Sequence, residues 1–183
     1  MNLHRAYIWP LLACCLLTGC EKIDIDDPEN NSGDAEQIVP TSLGLGSQLS
    51  PYTVEQVMNG EVESGERWFV GYVVGSTHTT MKNALFTSQT TYTSNILISM
   101  DSTCQTTDDC IPVELKSAVQ KQLALPFNAE NFQQCVMLRG QMLQYFRTNG
   151  IRQVEQGYYL PHFDLSTLRS VAPAEWQERH ERY

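Results

Sequence analysis

The run Glu66-Arg67-Trp68-Phe69-Val70-Gly71-Tyr72-Val73-Val74-Gly75 carries β-branched and aromatic side chains at odd and even positions alike. A strand written this way is covered on both faces, and a glycine inside it marks a sharp bend. The run Cys135-Val136-Met137-Leu138-Arg139-Gly140-Gln141-Met142-Leu143-Gln144-Tyr145-Phe146 is built alike, long and apolar with an interior glycine. Bent strands of this kind suit a small barrel, where a sheet must turn corners to close on itself.

The segments around these runs set the order of elements. Thr53 is placed to cap a short helical turn in which Val54, Val57 and Met58 share one face, and Asn59-Gly60 ends it. The Thr-rich stretch from Ser76 to Thr93 has no period and reads as a long loop. Ser94 to Met100 is a second strand, and Ile111-Pro112-Val113-Glu114-Leu115 a third, with Pro112 favouring an edge. Leu115, Ala118, Val119, Gln122 and Leu123 repeat at helical spacing, and Pro126 stops that helix. Thr148-Asn149-Gly150 reads as a turn, after which Ile151 to Val154 opens a fifth strand. Three strands, a helix and two strands are the order of the OB-fold. The expected fold class is therefore mostly β: a five-stranded OB-like Greek-key barrel over 51–155, with a helix between strands 3 and 4. A generic small β-rich domain is the alternative. The C-terminal extension, 156–183, is expected to pack on the barrel through a short helix from Ala174 to Arg182, with Pro173 in its first turn.

The N-terminus reads as an export signal over 1–19: Arg5, an apolar stretch from Ala6 to Leu17, then small Gly19 before Cys20. A membrane span needs about 20 apolar residues, so this run is too short to cross and stay. Leu17-Thr18-Gly19-Cys20 resembles the lipobox of bacterial lipoproteins. That resemblance implies that Cys20 takes a diacylglyceryl group, that the leader is cut before it, and that the new amine is acylated, palmitate being the expected label. Several acyl chains anchor a protein far more durably than one. The implied location is the outer membrane, lipid-anchored, facing the periplasm or the cell surface. Residues 20–50 are poor in aromatics and hold seven of the 21 acidic residues, Glu21, Asp24, Asp26, Asp27, Glu29, Asp34 and Glu36, against Lys22 alone. Such a segment cannot bury enough apolar area to offset its ordering entropy, so a flexible acidic tether is expected. A lysine and several carboxylates after the lipidated cysteine also resemble the surface-export signal of Bacteroidetes lipoproteins.

The blocks PYTVEQV, WFVGYVVGS, SNILIS, CIPVEL, LALPFNAENF and VMLRGQMLQYFRTNGI together resemble an OB-like domain of uncharacterised function found in Bacteroidetes lipoproteins. The resemblance spans about Pro51 to Val154. It implies fold and compartment, and brings no activity or catalytic residues with it.

Of the six cysteines, Cys14 and Cys15 would leave with the leader and Cys20 would be lipidated. Cys104, Cys110 and Cys135 remain, and an oxidising compartment favours one bridge among them. Cys104 with Cys110 would close the short loop QTTDD, while Cys110 with Cys135 is the competing pair.

Chemistry-bearing motifs are scarce. His78, His162 and His180 have no cysteine or carboxylate at zinc-ligand spacing, and no nucleophile elbow, metalloprotease helix or phosphate loop is present. Asp101, Asp108 and Asp109 read as a solvated acidic loop, without the twelve-residue calcium pattern. No catalytic residue, metal or cofactor is therefore expected, and the chain is read as a non-enzyme. In an OB-fold the ligand face is rimmed by the loops joining strands 1 to 2 and 4 to 5. Tyr92, Tyr145, Phe146, Arg147 and Arg152 are accordingly the candidate ligand-binding residues. Aromatic rings stack on sugars as well as bases, and arginines fork onto carboxylates. A glycan, a peptide or a partner protein is the expected ligand, and an accessory subunit of an envelope complex is a further reading. Nucleic acid is less favoured, because phosphate binding needs dense Lys and Arg, and the domain beyond the tether carries a net charge of about −4.

Overall fold

The computed structural model describes residues 37–171. The leader, Cys20 and the C-terminal helix expected from Ala174 to Arg182 lie outside the described residues. Eight main elements follow in order: α1 (Val54–Asn59), β1 (Glu66–His78), β2 (Thr80–Leu85), β3 (Asn95–Ser99), β4 (Ile111–Leu115), α2 (Ser117–Leu123), β5 (Cys135–Tyr145) and β6 (Thr148–Leu160).

The sheet order is β2-β1-β3-β4-β6-β5, and a further β1–β5 pairing closes β1, β3, β4, β6 and β5 into a five-stranded barrel. β4 and β6 run parallel and the other pairs antiparallel. Mostly β, with α2 between the third and fourth barrel strands, this is an OB-like barrel as the sequence predicts. β1 closes the barrel by changing partner at Tyr72, beside Gly71, with a register shift between Val73 and Gly75. Up to Tyr72, β1 pairs with β5, and from Tyr72 onward it pairs with β3. A Cβ on Gly71 would press on Val54 at 3.0 Å and on the Ser99 carbonyl at 3.2 Å.

Ile96, Ile98, Ile111, Val113, Val136, Leu138, Ile151 and Val154 fill the interior together with Tyr52, Phe69, Leu123 and Leu125. α1 and α2 contribute Val54, Val57, Val119 and Leu123 to the same cluster. Thr53 caps α1 reciprocally with Gln56, and Gly60 ends it in the left-handed region at φ 73°.

Three expectations are corrected. Ser76 to Thr93 is a hairpin for much of its length: β1 runs on to His78 and returns as β2, because Thr77 Oγ1 donates to the Thr80 carbonyl and Thr79 takes φ 61° to make the reversal. The last hairpin turns at Phe146-Arg147, with Thr148-Asn149-Gly150 already inside β6 and Gly150 packed against the Pro112 carbonyl. The expected Cys104–Cys110 bridge is absent, and both are free, buried thiols. They lie in one outer cluster with Val74 and Leu97, and the Cys104 thiol donates to the Thr106 carbonyl at 3.3 Å. Burial, with Cys104 beside it, pushes the Cys110 thiol up to about 12, so the thiolate that disulfide exchange needs is suppressed. Cys135 is also free and belongs to a different cluster, so the competing pair does not form either.

The tether is also shorter than drawn. The Ile38 carbonyl accepts from the Tyr158 hydroxyl of β6 and the Gly46 carbonyl from the Trp68 N–H of β1, while Leu43 is buried and bridges Ser170. Among the described residues no helix is long and apolar enough to cross a membrane.

Candidate functional site

With Ile96, Val113 and Ile151 inside, the alternating register puts Asn95, Glu114 and Arg152 on the outer face of β3, β4 and β6. Asn95 pairs with Glu114 across the β3–β4 ladder, and Val113 pairs with Ile151 across β4–β6. These three side chains are thus neighbours by register alone.

Contacts extend the set. Arg152 donates from Nε to Glu114 Oε2 at 3.2 Å and from Nη2 to Oε1 at 3.1 Å. The Gln153 amide adds a third bond to the same carboxylate, from a left-handed backbone at φ 58° where the β4–β6 register shifts. Arg152, bonded to Glu114, holds that carboxyl below the usual range, while Glu114 raises the guanidinium further. The same guanidinium lies 4.9 Å from the centre of the Tyr145 ring. Tyr145 donates its hydroxyl to Asn95 Oδ1, and its ring stacks on Phe146 at 3.9 Å. Burial, then the Glu114 charge, raises the Tyr145 phenol above its ordinary value.

Three of the five candidate residues, Tyr145, Phe146 and Arg152, therefore form one assembly with Asn95 and Glu114. Arg147 follows at the hairpin tip, exposed and with no ion pair among the described residues. Phe146 and Arg147 take φ 53° and 68°, the mirror-image turn that favours asparagine and glycine. Tyr92 stands in a separate pair, stacked on His78 at 5.2 Å. Its loop is held by Thr90, whose hydroxyl accepts from Ser76 at 2.7 Å. Glu114 and Asn95 were missed by sequence reasoning. Glu114 was detectable as the one outward charge in an otherwise apolar third strand.

The neighbouring outer face of β1 and β3 is occupied by the chain itself. Leu97 and Val74 are covered by Met81, Ala84 and Phe86 from the β2 hairpin and by Cys104 and Cys110. Among the described residues no group of three or more His, Cys, Asp and Glu is placed to hold a metal ion.

No curated protein matches the sequence. Among solved structures, the chain is similar to the hypothetical protein ygiW from E. coli, at 12% identity and a TM-score of 0.38, over 67% of this chain and 100% of that one. It is also similar to a chain from Leishmania major Friedlin assigned as an aspartyl-tRNA synthetase, at 8% identity and a TM-score of 0.33, over 63% of this chain and 21% of that one. The strand order alone assigns the fold. A family model described as a domain of unknown function, DUF6359, matches residues 52–159, and the chain belongs to that family.

Proposed function

We propose that this protein is a lipid-anchored extracytoplasmic binding module without catalysis of its own, which takes a peptide segment or partner protein at the rim built by Tyr145, Phe146, Arg147 and Arg152. The observation that carries the reading is the hairpin tip. Holding Phe146 and Arg147 in the left-handed region costs about 1 kcal/mol or more apiece, and neither side chain is fully buried there. Strain kept at an accessible aromatic and cationic tip marks a position selected for what it presents. Glu114 neutralises Arg152, so the rim offers a local fork-and-ring surface and not a track of free cations. That favours a protein ligand over nucleic acid, whose affinity rests on many phosphate contacts. The anchoring half of the reading rests on the lipobox at Cys20.

Two measurements test it. Cys20→Ala should abolish palmitate labelling and leave an unprocessed precursor, and normal processing would remove the anchor. A photo-crosslinker at position 147 in cells should give a discrete protein adduct that Phe146→Ala weakens. Adducts to single-stranded DNA alone would favour the nucleic-acid alternative.

A further inference from the structure

Trp68 on β1 and Tyr158 on β6, six residues beyond Arg152 on the same strand, have ring centres 5.8 Å apart and planes tilted by 59°. They line a surface cleft of about 430 Å³ together with four glutamines, Gln37, Gln48, Gln122 and Gln156. The Tyr158 hydroxyl donates to the Ile38 carbonyl at 2.7 Å and accepts from Gln48 Nε2 at 3.0 Å, which locks the ring. Gln37, Gln122 and Gln156 are exposed and come from three separate segments.

Among the described residues, no charged side chain lines this cleft. Phosphate, carboxylate and ammonium groups would find no counter-charge in it. Each carboxamide offers two donors and an acceptor close together, which matches the paired hydroxyls of a sugar ring. The C–H face of a pyranose sits on the electron-rich face of an aromatic ring, and two tilted rings make a corner for one sugar unit. From these features we infer that the Trp68–Tyr158 cleft is a binding site for an uncharged saccharide. Gln156 is shared with a second hollow of about 250 Å³, lined otherwise by the charged Glu66, Arg139 and Glu155, so the uncharged surface ends at Gln156.

The inference is independent of the rim and of the anchor. The probe is a panel of neutral gluco-, manno-, xylo- and chito-hexasaccharides, offered to the full chain in a detergent without a sugar headgroup and read by saturation-transfer NMR. At least one member should bind. Gln122→Ala and Gln156→Ala, both surface changes, should each weaken that binding by about threefold to tenfold, the worth of a lost hydrogen bond or two. Trp68→Leu should abolish it while the protein still melts cooperatively. Phe146→Ala should leave it unchanged. Failure of every hexasaccharide to bind, or binding that survives both glutamine changes at full strength, overturns the assignment.

Discussion

The guanidinium of Arg152 lies over the Tyr145 ring while it forks onto Glu114, so one cation ties β6 to both β4 and the end of β5. The pair is partly open to water, with side-chain exposures of 38% and 24%, so its worth is that of a screened ion pair, about 0.5–1 kcal/mol. Because Arg152 lowers the Glu114 carboxyl, its contribution is complete above the ordinary value of 4.5 and fades as pH falls through the lowered value. Glu114→Gln should lower the melting temperature slightly at neutral pH. It should also flatten the acid limb of a melting-temperature profile between about pH 5 and 2. An acid limb identical to the parent's would show that the pair adds nothing.

The strained tip makes the opposite prediction. Replacing Phe146-Arg147 with Asn-Gly supplies residues that accept positive φ, and should stabilise the fold by about 1 kcal/mol and raise the melting temperature by a few degrees. The same double change should lose the crosslink expected from the rim. A change that destabilises would mean that the Tyr145–Phe146 stack at 3.9 Å holds the hairpin more than the turn strains it.

Particular residues show why the barrel was legible and the rim only partly so. Gly71 and Gly140 sit in runs whose two apolar faces both need cover, and that demand is written locally, so the bends and the closed sheet follow from it. Tyr145 and Arg152 were found because their strand ends could be placed. Asn95, the partner of Tyr145, lies fifty residues away from it, and only the closed register brings the two together. The Ser76 to Thr93 stretch misled because its strand character comes from pairing with β1 and from the cover that Met81, Ala84 and Phe86 give to Leu97 and Val74, not from a period of its own. Turn placement failed similarly: Asn149-Gly150 is the stronger local signal, yet Gly150 is needed inside β6 for its close approach to Pro112.

The three core thiols should be counted and timed. Denatured, unreduced protein should titrate as three thiols, Cys104, Cys110 and Cys135, where a bridge would leave one. In the native state they should react slowly. Burial pushes Cys110 and Cys135 each up to about 12. A raised thiol pKa leaves stability intact below the unfolded value and removes it as pH climbs toward the folded one. A steep alkaline loss between about pH 9 and 12 is expected, and Cys135→Ala should make it shallower. A single titratable thiol would restore the bridge.

The last prediction concerns where the folded domain begins. Leu43 is 3% exposed, its N–H donates to the Arg169 carbonyl at 3.0 Å, and its own carbonyl accepts from Val171 at 2.6 Å. The segment therefore joins the end of the described chain to the outer cluster of Val70, Met137, Leu160 and Leu165. Gly46 stands at φ 72° where a side chain would run into the Tyr52 ring, so the approach is specific and not a loose drape. Leu43→Ala in the full chain should cost about 2–4 kcal/mol, the usual loss for emptying a buried leucine site. A fragment beginning at residue 51 should melt well below one beginning at residue 37, and should lose protection at the Trp68 amide, which bonds to the Gly46 carbonyl. Equal melting of the two fragments would return residues 37–50 to the tether, and with them Gln37 and Gln48 would leave the saccharide cleft.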